Sequence, residues 1–301
     1  MLSEKRKRKL ILLFYLMPFL VFVLIFSYVP LLGWRYAFFE FTPGLAFGDL
    51  EFVGLRYFRV IFDGSTAFGS VMVNTLAISA LGLIGSVVPV IFAIMISQMR
   101  SSKLSKAVQT ICSVPNFISW ILVYSIFFSL FSINDGIVNN VLMSLGVISQ
   151  PTNVLGDAQN AWIIQAIISL WKTTGWSAII YLAAIAGIDS EQYEAASIDG
   201  AGRFQKIIHI TLPGLSSTYF VLLLLAIANI LSNGFEQYWV FQNALTRERL
   251  EVLDTYVYRL GMLNMQYSFA TAMGMFRSII SVILLTIANY ASRLVRGQSI
   301  F

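Results

Sequence analysis

Histidine and cysteine are almost missing from this sequence. His209 and Cys112 each occur once, so no internal disulfide is possible and a metal site of thiolates and imidazoles has no ligands to draw on. The same shortage removes the Ser/His/Asp and Cys/His constellations of nucleophilic catalysis. No G-x-x-x-x-G-K-[ST] run occurs, so the chain has no P-loop to cradle nucleotide phosphates. It is read as non-catalytic by itself, with no metal site and no cofactor of its own. Charged residues are scarce too, at 12% of the total, too few to keep a soluble domain of this size in solution.

What remains is apolar. Hydrophobic residues make up 57% of 301, and the mean hydropathy is +0.76. A bilayer core of about 30 Å takes roughly 20 apolar residues per helix, and the charge-free run from Leu10 to Trp34 already exceeds that. Six such runs predict an all-α integral membrane protein with six transmembrane helices: Leu10 to Gly33, Val71 to Met99, Ala107 to Phe131, Ala161 to Gly187, Leu215 to Gly234 and Ala270 to Leu294. The basic start resembles a secretory signal, but its apolar run is about twice the usual length and no small-residue cleavage site follows. The first span is therefore expected to stay in the mature protein.

Basic residues alternate between loops. Lys5, Arg6, Lys7, Arg8 and Lys9, then Arg100, Lys103 and Lys106, then Arg203 and Lys206, then Arg293 and Arg296 fall in one set, whereas the longer opposite set has no basic residue from Ser132 to Asn160. The positive-inside rule puts the first set, with both termini, in the cytoplasm. The net charge of +5 is then a topology signal, and with no interleaved basic patch it gives no support to nucleic-acid binding. The expected organisation is a cytoplasmic N-terminus at 1–9, a first span with an external segment at 10–70, a permease core at 71–294 containing a polar cytoplasmic stretch at 189–213, and a cytoplasmic C-terminus at 295–301. Two external segments are long enough for structure. Residues 34–70 read as a folded cap or lateral helices, and 235–269 as an amphipathic helix around Leu253, Tyr256, Val257 and Leu260, on or re-entering the outer face.

The polar stretch "DSEQYEAASIDGAGRFQKIIHITLP" has its own logic. Asp189 is placed to cap a helix, with Gln192 reaching back. Gly200 and Gly202 supply a left-handed or tight turn. A second short helix, "RFQKIIHI", is expected to carry Phe204, Ile207 and Ile208 on one face and to break at Pro213 before the fifth span. Small Ala195, Ala196 and Ala201 admit another surface close to the backbone, and Glu194 and Asp199 offer carboxylates. Physics alone leaves open whether a partner binds there or the loop packs on its own chain.

Glu194, Ala195, Ala196, then Gly200, then Ile210, Leu212 and Pro213 resemble, at matching spacing, the EAA motif of permease subunits of bacterial ABC importers. The resemblance extends over nearly the whole chain and looks like the carbohydrate-importer branch that contains the maltose permease, most of all permeases of the LplB type. It implies the MetI-like fold of a type I importer and a place in the bacterial cytoplasmic membrane. It further implies a second homologous permease, two cytoplasmic ATPase subunits that bind ATP and Mg, and an extracellular solute-binding lipoprotein. The EAA stretch, with Asp199, is then expected to couple to the ATPases, and the cargo to be an oligosaccharide.

Several residues are candidates for the sugar path. Lys172 and Arg277 are charges inside spans; in the path they would suit an acidic polysaccharide fragment, and otherwise they snorkel or pair. Asn229 and Asn233 stand at i and i+4 in the fifth span, as sugar-binding amides or as polar glue between helices. Asn116, Trp120 and Tyr124 repeat every four residues as a stacking face or as packing, and Trp171 and Trp176 flank Lys172. The rival reading is a secondary transporter driven by an ion gradient. It calls for carboxylates within the spans, which hold none.

Overall fold

The computed structural model describes residues 4–64 and 66–296. Internal packing divides the chain into two units. One gathers the residues up to Thr66 with Val257–Ser278, the other Ala67–Tyr256 with the residues from Ile279 onward. Five helices are long and apolar enough to cross a membrane, and a sixth span is reached when one bent pair is taken together.

In the first unit, helix α1 (Glu4–Val23) runs on through a π-helical turn at Leu24–Tyr28 and a 3-10 segment at Val29–Phe38. Every side chain from Ile11 to Leu32 is exposed. The external segment that follows is a mixture of elements. Strands β1 (Phe39–Glu40) and β2 (Glu51–Phe52) pair antiparallel, and helix α2 spans Arg56–Phe62. Aromatic rings hold the hairpin, with Phe39 4.7 Å from Phe47 and 5.2 Å from Phe52. The Phe41 N–H donates to Ser268 Oγ at 2.9 Å. Burial, and then the neighbouring Glu40 carboxylate, push the Tyr57 phenol above its ordinary value.

In the second unit, α3 (Phe68–Gly85) and α4 (Val87–Ser97) form one span. The third span departs from expectation. A single helix over Ala107 to Phe131 was predicted; α5 (Ser102–Ser113), a 3-10 turn at Val114–Phe117 and α6 (Trp120–Phe131) take its place, with a bend of 104°. The cause lies in "VPNFIS": Pro115 has no N–H to continue an α-helix, and Ser119 starts a new one by accepting the Leu122 N–H at 3.4 Å. After α7 (Ile137–Ser144), α8 (Ala161–Ala186) runs unbroken and packs against α3, α4, α5 and the helix Leu212–Ala228 of the fifth span.

Two apolar clusters flank α8. Val90, Ala93, Ile94, Ala178, Tyr181 and Leu215 form one; Val123, Ala161, Ile168, Phe241 and Leu250 form the other. Phe241 and Leu250 come from α12 (Glu236–Phe241) and α13 (Arg247–Leu250), so the segment after the fifth span enters the core. The helix predicted around Leu253 is α14 (Leu253–Tyr258), continuing into a π-helical turn at Arg259–Leu263, with Leu253, Tyr256 and Leu260 buried. The last helix, α15, is Tyr267–Arg296. The C-terminal residues 297–301 lie outside the described residues.

Close approach of α5 to α8 depends on one glycine. A Cβ at Gly175 would stand 2.0 Å from the Cys112 carbonyl oxygen, which is backbone and cannot swing aside. Gly175→Ala is expected to destabilise the protein by about 1–3 kcal/mol through overpacking, read as a lower thermal midpoint in detergent. Gly82→Ala, where nothing lies within 4 Å, is the control and is expected to be neutral or stabilising.

Candidate functional site

The polar stretch folds as an elbow. Helix α9 (Ser190–Ile198) starts at Asp189, whose carboxylate accepts the Glu191 N–H at 3.0 Å. Gln192 contributes its backbone N–H to the Asp189 carbonyl at 3.3 Å. The side chain that reaches back to a cap is Gln205, whose Oε1 accepts the Gly202 N–H at 2.7 Å. The helix ends in a Schellman motif: Ala201 N–H donates to Ala196 O at 2.8 Å, Gly200 N–H to Ser197 O at 3.2 Å, and Gly200 sits at φ +78°. Only Gly200 of the two glycines is left-handed; Gly202 is an extended cap with φ −69°.

The second arm differs from expectation. No separate short helix ends at Pro213. Helix α10 (Arg203–Lys206), a π-helical turn at Ile207–Thr211 and α11 (Leu212–Ala228) form one continuous helical span. Proline removes one ladder bond and its ring crowds the carbonyl four residues earlier. The wider π turn just before it absorbs that misfit without breaking the helix. The elbow's second arm is thus the start of the fifth span.

No residue of α9 is buried. Glu194, Ala195, Asp199, Gly200, Leu212 and Pro213 are exposed, while Ala196 and Ile210 are half-buried and line a small hollow of 200 Å³. Two apolar side chains stand in the open at the bend, Ile198 at 88% and Phe204 at 73% exposure. Of the face expected to join Phe204, Ile207 and Ile208, only Ile207 packs inward, against the cluster containing Leu215. Behind the elbow the attachment is tight. The Tyr193 hydroxyl bonds the fully buried Thr211 Oγ1 at 3.0 Å, and a Cβ at Gly214 would meet Ile188 Cδ1 at 2.6 Å.

Within the spans of the second unit lies a cleft of about 460 Å³ lined by α3, α4, α8 and the end of α11. Its described lining contains hydroxyls and amides, among them Ser79, Ser169, Thr173, Ser177, Asn229 and Asn233, and no charged side chain. Asn229 and Asn233 do not share a helix face, because α11 ends at Ala228 and Asn229 is its cap. The cleft brings them together all the same. Asn229 Nδ2 closes the helix end by donating to Leu225 O at 2.9 Å. Asn233 Nδ2 donates to Ser79 Oγ at 2.8 Å and Thr75 O at 3.3 Å, and among the described residues its buried Oδ1 has no hydrogen-bond partner. Sequence reasoning missed Ser169, Thr173 and Ser177. Their four-residue spacing on α8 was the available signal.

The other candidates lie elsewhere. Lys172 is 6% exposed, and its Nζ donates to the carbonyls of Pro115 at 3.0 Å, Asn116 at 2.9 Å and Ile118 at 2.6 Å. It neither lines the cleft nor snorkels. Asn116 is in the 3-10 turn before the break and Trp120 and Tyr124 are on α6 after it, so the predicted stripe is not one helix face. Trp120 and Tyr124 meet Phe241 edge-on at 6.4 and 5.2 Å. Trp171 packs on Phe127 and Trp176 on Phe117, each about half exposed.

Comparison with known proteins fits this geometry. Residues 89–297 match the model of the family described as binding-protein-dependent transport system inner membrane component. The chain is 40% identical to Protein LplB of Bacillus subtilis (strain 168), over 100% of this chain and 93% of that one. It is 38% identical to the polygalacturonan/rhamnogalacturonan transport system permease protein YteP of the same organism, over 99% and 95%. A chain of a bacterial alginate ABC transporter, solved in complex with an alginate pentasaccharide-bound periplasmic protein, superposes with a TM-score of 0.89 at 34% identity, covering 99% of each chain.

A Cβ at Gly200 meets nothing within 4 Å, so substitution there tests backbone conformation alone. Gly200→Ala is expected to weaken the elbow by about 1–2 kcal/mol, and Gly200→Asn by less, because asparagine tolerates the left-handed region. Faster amide hydrogen exchange at Ala201 is the readout.

Proposed function

The chain belongs to the family of binding-protein-dependent transport system inner membrane components, and from that premise we propose that it carries an oligosaccharide across the bacterial cytoplasmic membrane as one permease half of an ATP-driven importer. ATP is hydrolysed by separate ATPase subunits, which bind ATP and Mg. The elbow formed by Glu194, Ala195, Ala196, Asp199, Gly200, Ile210, Leu212 and Pro213 docks on them in the cytoplasm. A second homologous permease completes the path, and a loaded extracellular binding protein delivers the sugar to the outer segments. Both termini lie in the cytoplasm, a reading supported by the loop distribution of basic residues.

The observation that carries this reading is a mechanical connection. The exposed elbow is continuous with α11 and bonded to it through Tyr193 and Thr211, and α11 ends at the cleft through Asn229. Closure of the ATPase pair would move the elbow, and the elbow would move the cleft wall. Alternating access needs such a rigid link.

The cleft chemistry suits sugar hydroxyls, which donate and accept as amides and serines do. Asn229 and Asn233 bring amides of this kind to the lining. With Lys172 turned to main-chain carbonyls, the charge of an acidic sugar would be matched outside this cleft. Among the relatives, YteP is named for polygalacturonan and rhamnogalacturonan, and a solved neighbour is a transporter involved in the import of the acidic polysaccharide alginate; these support an oligosaccharide cargo.

Reconstitution with partner permease, ATPases and binding protein in proteoliposomes tests the reading. Asn233→Leu is expected to cut oligosaccharide uptake about tenfold or more, since an unmatched buried hydrogen bond is worth about 1–3 kcal/mol. The pair Ile198→Asp and Phe204→Asp is expected to abolish uptake while the chain still inserts. Uptake that continued without ATP, or that ignored the elbow substitutions, would sink the proposal.

A further inference from the structure

A buried ammonium inside a span invites a role in the substrate path, but the surroundings of Lys172 assign it differently. An ammonium has three N–H donors, and Lys172 Nζ has three main-chain acceptors, the oxygens of Pro115, Asn116 and Ile118, at 2.6 to 3.0 Å. These carbonyls belong to the break in the third span: Pro115 O also takes the Ile118 N–H at 3.2 Å, and the Asn116 and Ile118 oxygens lie where the α-helical ladder is interrupted. Helix α5 stops at Ser113, Pro115 follows in the 3-10 turn, and Ile118 is extended at φ −80° and ψ 133°. In hydrocarbon such groups have no water to turn to, and each left unsatisfied costs several kcal/mol. A cation at the carbonyl end of a helix is favoured further by the helix dipole. The indole of Trp120, 5.2 Å from Nζ, covers the site from the α6 side.

A second feature on the same helix face belongs to this contact. Gly175 stands three residues beyond Lys172, on the same side of α8, and admits the Cys112 carbonyl where a Cβ would lie 2.0 Å from it. Glycine lets α5 approach, and the lysine holds the end that has approached. Among the described residues, Lys172 Nζ bonds to main-chain oxygens and not to the Glu236 carboxylate.

We propose that Lys172 is the positioning residue that locks α5 to α8 across the break in the third span, so that the two move as one body in the transport cycle. The proposal rests on the transport reading above for its mechanical half only; the lock itself is independent of the cargo.

Cys112, the single cysteine, is half-buried at this contact and serves as a native reporter. In the assembled complex, Lys172→Met is expected to raise the alkylation rate of Cys112 by a small neutral maleimide about tenfold, as local opening exposes it. Sugar taken up per ATP hydrolysed should fall with the KM for loaded binding protein unchanged. Lys172→Arg, which keeps charge and donors, should restore both in part, and Glu236→Gln should leave Cys112 unaffected. Unchanged Cys112 reactivity in Lys172→Met overturns the lock, most directly if KM rises instead, because the lysine would then be a substrate contact. Faster alkylation with unaltered uptake per ATP overturns the mechanical half. Should Lys172→Met not insert, Lys172→Gln is read in the same way, with an intermediate rise expected. A wild-type complex that moved no sugar would defeat the transport reading while leaving the Cys112 comparison intact.

Discussion

A peptide group in hydrocarbon must find its partner within the protein. Straight helices meet that demand automatically, and each departure from straightness has to meet it by other means. Three departures in the later spans are each solved differently. At 114–119 an ammonium from the neighbouring helix takes the freed carbonyls. At 207–211 the helix widens by a residue so that Pro213 can sit in its wall. At 229 the side chain of the capping asparagine folds back onto Leu225 O. Irregular backbone at membrane depth is tolerated where protein or a cavity surrounds it, and these breaks obey that rule.

The same solutions fix what is rigid and what is free. Because the π turn keeps α10 and α11 continuous, the chain leaves the helix between α8 and the fifth span only at 187–189 and at the bend between α9 and α10. Its Schellman bonds and the Tyr193 to Thr211 contact make it stiff. Stiffness without burial is unusual for a loop, since loops ordinarily trade order for solvation. Here order comes from caps and a left-handed glycine, which leaves side chains such as Ile198 in solvent without loosening the backbone.

Apolar run length placed the spans, since lipid imposes a length on any helix that crosses it. The EAA spacing placed the elbow. Breaks inside a greasy run were harder to read. Pro115 and Ser119 both stood in the sequence as stop and start signals, but an unbroken apolar composition masked them, and the stripe of Asn116, Trp120 and Tyr124 was drawn across a corner. At Pro213 the opposite error arose. Proline read as a break because an α-helix cannot absorb it, and local sequence does not announce a π turn. Asn229 and Asn233 both line the cleft, although the helix face their i, i+4 spacing predicts is absent because α11 ends at Ala228. Lys172 was read as charge, whereas its surroundings use it as a set of donors. Its partners lie 54 to 57 positions away in sequence, beyond the reach of any local pattern.

The first span stands apart from all of this. Its side chains from Ile11 to Leu32 are all exposed within this chain as described, whereas a Cβ on Gly175 of α8 would clash with backbone. In informational terms, the chain reads the first span as a composition and α8 as a text. Permuting the apolar residues of the one preserves what this chain asks of it, while the other has single letters that carry meaning. Drift among relatives should therefore be fastest where the hydropathy is highest.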